Sequence, residues 1–437
     1  MTRPLPRIPP DRDLSVDFVR AICLPVVVVL HALQMGIEGS PPRAFNALAD
    51  WAPLAGLTWI GMIMPTFFIA GGFAGITTWR RLHHQGESAG HYIRVRTLRL
   101  ARPVLFAMLA VLAALGVMAW CGADAEFLRT FAFRLAEPLW FIAVYAICTS
   151  FVPVMAFLHR HWAWPTFFGL AALALLVDGA VRLLHLPVGA LNWLFIWLFV
   201  QQLGFGVRDS WYARRPRWVL VVLTLAAYGL IAVAVFALGY SPDMIANLNP
   251  PTIVLLLLGL AQVYLFTLLQ PAIRRMMTHR GALVFVGVLG TYGMVIYLWH
   301  TVAMAVVAGA QLALGLPFPS VLGPTWWVTR LPWFLAIVVV IAACCAIVPR
   351  IEALWPRERE RRMPLWAALT ATVILIAAVG WVLTQGYLTP LTAVAVALLA
   401  GTVGWLTVGG PARSGRSDRL DRLEIRAHPL SLDPSGG

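Results

Sequence analysis

Apolar residues run through this chain in long stretches, and short segments that contain proline, glycine or charged residues separate them. A helix needs roughly 20 mainly apolar residues to cross the hydrocarbon layer of a bilayer, so each stretch predicts one membrane span. The predicted fold is an all-α, polytopic membrane helix bundle of 12 transmembrane helices. The predicted spans are 14–36, 56–78, 101–121, 137–158, 163–184, 190–207, 218–239, 252–273, 283–314, 328–349, 365–385 and 389–409.

The composition excludes a water-soluble protein. Of the 437 residues, 60% are hydrophobic and only 12% are charged, whereas soluble domains carry about 25% charged residues. The mean hydropathy is +0.80. The five cysteines lie in or beside apolar stretches and show no spacing typical of a metal site. We therefore predict a membrane protein without a bound metal.

Arginine supplies the whole positive charge of the chain, which has 33 arginines, no lysine and a net charge of +14. When the N-terminus is placed in the cytoplasm, all but five arginines fall at or near the cytoplasmic side; the exceptions are Arg43, Arg129, Arg134, Arg182 and Arg330. The positive-inside rule then predicts cytoplasmic N- and C-termini. We expect a multi-pass protein of the plasma membrane whose arginines contact lipid headgroups, with no nucleic-acid partner.

The first predicted span contains three ionisable residues, Asp17, Arg20 and His31. Charged groups inside a bilayer are costly and usually functional. Eleven residues separate Arg20 from His31, so both lie on one helix face with about 16 Å of rise between them, and Asp17 is placed to pair with Arg20. A structural interpretation stays open, in which Arg20 snorkels to the interface and His31 holds an interhelical hydrogen bond.

Further motifs follow these residues in a fixed order. They are PTFFIAGGF at 65–73, RVRTLRLARP at 94–103, LWFI at 139–142 and YLWH at 297–300. Together with the arginine–histidine spacing in the first span, the series resembles the signature of the acyltransferase family 3 integral membrane proteins. The resemblance covers about residues 13–350 and implies a core of ten helices, so that the last two predicted helices are additional.

The resemblance implies transfer of an acyl group, commonly acetyl, from cytoplasmic acyl-CoA to a hydroxyl of a carbohydrate, glycolipid or exported metabolite. His31 would act with Arg20 and Asp17 in catalysis, either as a general base or by accepting the acyl group itself. The general-base version is preferred. We expect acyl-CoA to be the donor substrate, bound by a stripe of guanidinium groups that match its phosphates; the stripe consists of Arg96, Arg99 and Arg102.

Four more residues are expected to line the substrate cavity. His300 is predicted to pair with a polar group near His31 or to contact the acceptor, and Tyr297 and Trp140 are expected in the cavity wall. Glu137, at the outer mouth of the fourth span, is predicted to face the acceptor. The alternative is that these side chains only pack and mark the membrane interface.

Four segments follow from these expectations. Residues 1–13 form a cytoplasmic N-terminal segment, 14–350 the acyltransferase-like domain, 351–409 a cytoplasmic loop with two extra helices, and 410–437 a disordered cytoplasmic tail. The competing hypothesis is a secondary transporter, for which 12 spans are also typical. Transporters usually contain two related halves, and the second half of this sequence has no counterpart of the first span or its basic segment.

Overall fold

A computed structural model describes residues 13–49, 51–354 and 363–408. It is 81% helical with almost no strand, which confirms the all-α polytopic bundle. The predicted tail 410–437 and all but the last residue of the predicted segment 1–13 lie outside the described residues. The helices are α1 (Leu14–Gln34), α2 (Ala52–Gly61), α3 (Met64–His84), α4 (Ala89–Trp120), α5 (Ala125–Ala136), α6 (Trp140–Leu184), α7 (Asn192–Arg208), α8 (Arg217–Phe236), α9 (Ile253–Met276), α10 (Arg280–Ala313), α11 (Pro324–Ala353), α12 (Leu365–Gln385) and α13 (Pro390–Val408).

In the described ranges, 11 helical segments are long and apolar enough to cross a membrane, whereas the sequence predicts 12. The difference arises in α6, a single segment of 45 residues. At 1.5 Å per residue it would extend about 68 Å, roughly twice the thickness of the hydrocarbon layer. Its backbone leaves the helical conformation at Trp162, where φ is −139° and ψ is 48°.

The contacts between α6 and α7 show that the chain reverses at this break. They pair Trp140 with Trp193 and Met155 with Gln202 in the first half, and Phe167 with Phe199 and Asp178 with Asn192 in the second. Along the first half of α6, the residue numbers of the contacting residues in α6 and α7 increase together. Along the second half, the numbers in α7 decrease as those in α6 increase. The first half is therefore parallel to α7 and the second antiparallel, so α6 contains the two helices that the sequence predicts at 137–158 and 163–184.

The second predicted span, 56–78, is interrupted rather than continuous. Helix α2 ends at Gly61 and α3 begins at Met64, and a short antiparallel hairpin of β1 (Met35–Glu38) and β2 (Arg43–Asn46) precedes them. The interruption leaves backbone groups unpaired in an apolar region, which is costly. The side chain of Gln262 satisfies them: its amide nitrogen donates to the carbonyl of Met62 at 2.7 Å, and its oxygen accepts from the amide of Thr66 at 2.9 Å.

The basic segment, which carries the arginines between residues 94 and 102, is helical. The sequence predicts a cytoplasmic loop at 79–100 and a span from 101, whereas α4 begins at Ala89 and continues through Pro103. Ser88 caps its first turn by accepting from the amide of His91 at 3.2 Å. The arginines of this segment therefore project from a rigid helix that continues into the bundle.

The last two helices pack directly on α4. The hydroxyls of Thr97 and Thr372 lie 2.6 Å apart. The fully buried guanidinium of Arg94 donates from Nε and Nη2 to the carbonyl of Leu406, at 3.0 and 2.7 Å. Helices α12 and α13 are thus bound to the helix that carries the basic residues.

Helices α3 and α7 approach each other closely at two glycines. A Cβ atom at Gly72 would lie 2.2 Å from the carbonyl oxygen of Gln201, and one at Gly204 would lie 2.0 Å from that of Ile69. Only glycine fits there, as at other close helix contacts in bilayers. The second motif of the sequence, which contains Gly72, therefore fixes α3 against α7 beside the cavity described next.

Candidate functional site

A cavity of about 470 Å³ lies among α1, α3, α4, α6 and α10. We call it the inner cavity, because the arginines in its wall lie at the predicted cytoplasmic end. Five of the residues predicted for the site line it, namely Asp17, Arg20, Arg96, Arg99 and Tyr297. Its volume is typical of a small-molecule site, for which roughly 300–1,000 Å³ is usual.

The inner cavity is polar and positively charged at its predicted cytoplasmic end. Arg96 donates from Nη2 to the hydroxyl of Thr78 at 2.8 Å and lies 5.5 Å from the ring centroid of Tyr92. Arg99 is exposed. The Nε atom of Arg20 is buried, and no hydrogen-bond partner for it is found within the described ranges. Three guanidinium groups that share one cavity are suited to bind several phosphate oxygens.

Other arginines near this end are engaged elsewhere. Arg102, the third residue of the predicted stripe, lies outside the inner cavity and donates to the carbonyl of Glu352. Arg80 donates from Nη2 to the carboxylate of Asp209 at 2.9 Å, and His159 lies 3.3 Å from the same carboxylate. Although burial acts in the opposite direction, these two partners hold the pKa of Asp209 below its ordinary value. Only two of the three stripe arginines, Arg96 and Arg99, therefore face the cavity.

His31 and His300 come together in the bundle although 269 residues separate them. Nδ1 of His31 lies 2.9 Å from Nε2 of His300, and the two ring planes are within 10° of parallel. His300 is fully buried, and its Nδ1 contacts the carbonyl of Tyr297. The sequence predicts that His300 pairs with a polar group near His31 or contacts the acceptor, and the structure places it against the imidazole of His31 itself.

These contacts determine where the protons lie in the neutral pair. A carbonyl oxygen can only accept, so the proton of His300 is on Nδ1, which donates to Tyr297. Its Nε2 is then an acceptor and receives the Nδ1–H of His31. The remaining nitrogen of His31, Nε2, carries an unprotonated lone pair. This is the arrangement that a general base requires.

The histidine pair lies beyond the end of the inner cavity that is farther from its arginines, and not in the cavity wall. The cavity lining reaches Val27, four residues before His31, and Tyr297, three residues before His300. Neither histidine is among the lining residues. The guanidinium of Arg134, on α5, is near enough to interact electrostatically with His31. The pair therefore lies about one helical turn beyond the lining of the inner cavity.

Two of the predicted cavity residues lie in other surroundings. Glu137 forms an ion pair with Arg134 at the outer end of the bundle. Trp140 packs against Trp193 and Trp197, with ring centroids 5.6 and 6.0 Å away. Neither Glu137 nor Trp140 lines the inner cavity. Trp140 also contacts Phe141, which lines the inner cavity.

Sequence reasoning did not select Arg134, Thr78 or Tyr145 for the site. Thr78 and Tyr145 line the inner cavity, but nothing in their sequence context distinguishes them from other polar residues in helices. Arg134 did carry a signal, because it is one of the few arginines on the side that the positive-inside rule leaves poor in positive charge. An arginine on that side does not serve the charge bias that sets topology, and Arg134 instead forms an ion pair with Glu137.

Comparison with known proteins gives one result. The family model of acyltransferase family 3, described as an acyltransferase domain, matches residues 13–349. Helices α12 and α13 lie beyond the match. No curated protein and no solved structure gives a significant match to the chain. Since the matched region includes the arginine-lined cavity and the histidine pair, the chain belongs to acyltransferase family 3 and is a multi-pass membrane protein.

Proposed function

We propose that this protein transfers an acyl group from cytoplasmic acyl-CoA to a hydroxyl of a carbohydrate, glycolipid or exported metabolite at the other side of the plasma membrane. Acetyl is the acyl group that the family most often uses. The observation that carries the proposal is the arginine-lined inner cavity, whose lining reaches Val27 and Tyr297, about one helical turn from the pair formed by His31 and His300. Family membership supports acyl transfer, and this geometry supports the donor and the base.

The donor is held at the cytoplasmic end of the inner cavity. Arg20, Arg96 and Arg99 bind the phosphates of CoA through charge-assisted hydrogen bonds. The pantetheine arm extends along the apolar part of the cavity, which Leu24 and Phe67 line. The rise of α1 from Arg20 to His31 is about 16 Å, so the arm has to bridge a long distance before the thioester reaches the base.

The base acts on the acceptor hydroxyl. Nε2 of His31 takes the hydroxyl proton while the acceptor oxygen attacks the thioester carbonyl carbon, forming a C–O bond. The C–S bond then breaks, and the CoA thiolate leaves with the electron pair and takes up the proton that His31 received, which restores the base. His300 acts as a positioning residue, because its Nε2 accepts the Nδ1–H of His31 and keeps the opposite nitrogen free for the proton.

A covalent route is the alternative use of the same histidine. Nε2 of His31 would attack the thioester itself, and the resulting acyl-imidazole would later be attacked by the acceptor hydroxyl. Radiolabelled acyl that remains on the denatured native protein and is lost in His31→Ala would establish this route. Absence of labelled protein during steady turnover agrees with the general-base version.

The proposal is tested with the full chain reconstituted into vesicles, supplied with radiolabelled acetyl-CoA and an extract of envelope carbohydrates and glycolipids. We expect labelled product with the native protein, a loss of at least about 100-fold with His31→Gln, and no loss with His161→Gln. His161 is an exposed histidine outside the inner cavity and therefore a matched control. Export of unacylated solute without CoA consumption would instead support the transporter.

A further inference from the structure

A second cavity, of about 440 Å³, lies at the predicted outer end of the bundle. We call it the outer cavity. Its wall comes from β2, from α5 and from the connection between α12 and α13. The lining residues are Ala44, Arg129, Thr130, Ala132, Phe133, Arg134, Gln385, Gly386, Leu388 and Thr389.

The wall of the outer cavity is chemically suited to a hydroxylated anion. It contains two guanidinium groups, an amide and two hydroxyls, and the described lining includes no carboxylate. Arg129 donates to Glu126 at 2.7 and 2.8 Å, yet its side chain stays 72% exposed. The Nε atom of Arg134 is buried, and the described part of the chain offers it no hydrogen-bond partner.

The two sides of this cavity have different origins. Helix α5 belongs to the region that the family model matches, whereas the segment 385–389 lies beyond it. Gly386 has a φ of +76°, which favours glycine, and a Cβ atom built there would lie 3.8 Å from the backbone of Phe133. The connection between α12 and α13 therefore passes close over α5 and completes a wall that the matched region alone leaves open.

A series of contacts relates the outer cavity to the histidine pair. Arg134 lines the cavity and pairs with Glu137, the neighbouring carbonyl of Pro138 accepts from the hydroxyl of Tyr297, and the carbonyl of Tyr297 contacts His300. Gln385 is exposed at the cavity rim, so the cavity is accessible from the predicted extracytoplasmic side.

We propose that the outer cavity binds the acceptor, that the acceptor is hydroxyl-rich and carries an anionic group, and that helices α12 and α13 are retained because their connection forms half of this binding site. This inference rests on the proposed function, since it assigns the second substrate of the same reaction. Arg129 binds the anionic group at the rim, and Gln385 and Thr389 bind hydroxyls.

Chemical blocking of the cavity rim tests the inference. The full chain carries Cys121→Ser, which removes an exposed thiol near the outer end, and then Gln385→Cys. A membrane-impermeant methanethiosulfonate reagent modifies the new thiol from outside. The matched control is Leu316→Cys, an exposed position in the outer connection after α10 that does not line the cavity. Transfer of radiolabelled acetyl to the envelope extract and binding of CoA are measured for each protein.

We expect modification of Gln385→Cys to lower acceptor acylation by about tenfold or more while CoA binding stays unchanged, and modification of Leu316→Cys to change neither. Full acylation after complete modification of Gln385→Cys would overturn the acceptor site but leave the proposed function standing. Absence of acylation by the unmodified Cys121→Ser protein would overturn both, so the two failures are distinguishable.

A charge-matched pair of variants tests the anionic group. Arg129→Gln should raise the concentration of acceptor extract that gives the half-maximal rate by about tenfold, with CoA binding unchanged. Arg43→Gln should leave both values as they are, because Arg43 is an exposed arginine at the same end that does not line the cavity. Equal effects of the two substitutions would contradict a specific anion site.

Discussion

The division of the arginines between the inner cavity and other contacts gives a sharp prediction about donor binding. Arg96→Gln and Arg99→Gln each remove one guanidinium from the cavity wall. A hydrogen bond to a charged group contributes roughly 1.5–3 kcal/mol, which corresponds to a loss of about 10- to 100-fold in affinity. Arg96 should lie at the upper end, because it is half-buried and oriented by Thr78. Arg99 should lie at the lower end, because solvent screens an exposed charge.

The assay is calorimetric titration of CoA into the purified full chain in lipid nanodiscs, with 3′-dephospho-CoA as a second ligand. The matched control is Arg81→Gln, which removes one exposed arginine from the same end of the bundle without touching the inner cavity. We expect unchanged affinity for this control. The reasoning is refuted if Arg96→Gln and Arg99→Gln bind CoA like the native chain, or if Arg81→Gln weakens binding as strongly as they do.

Three further predictions concern the support of the site. His300→Phe should lower kcat about 100-fold with an unchanged KM for acyl-CoA. His300→Gln should recover part of this loss, because its amide oxygen can accept the Nδ1–H of His31. Steady-state kinetics and a pH profile of the rate check both expectations. Gly204→Ala should cost about 1–3 kcal/mol in thermal unfolding through the clash with Ile69, whereas Gly229→Ala, with open space around it, should cost nothing. Arg94→Met should make the C-terminal helices more sensitive to limited proteolysis, because the buried donors to their last turn are lost.

The helical pattern of the chain predicts its architecture well, since membrane spans follow from apolar length and from little else. The reversal at Trp162 illustrates this, because the apolar pattern predicts two spans on either side of the residue at which the helical backbone breaks. The interruption before α3 was not predictable in the same way. It depends on the side chain of Gln262, which is distant in sequence and satisfies the freed backbone groups.

The site was predictable where residues share one helix, and less so where separate helices meet. The spacing of Arg20 and His31 follows from helix geometry alone. Their environment does not: the contact of His31 with His300 depends on how α1 packs against α10. The same limit explains Arg102, which follows Arg96 and Arg99 on α4. Its guanidinium donates to the carbonyl of Glu352 on α11, and no local sequence pattern predicts a contact between these two helices.

A structure of the full chain with CoA bound tests the central claim most directly, namely that the inner cavity delivers a thioester to His31. The account predicts CoA phosphates on Arg20, Arg96 and Arg99, and the sulfur atom next to the His31 ring, with the reacting atoms about 3–3.5 Å apart. Phosphates bound away from these arginines would contradict it, as would a sulfur atom that ends in a passage walled off from the histidine pair.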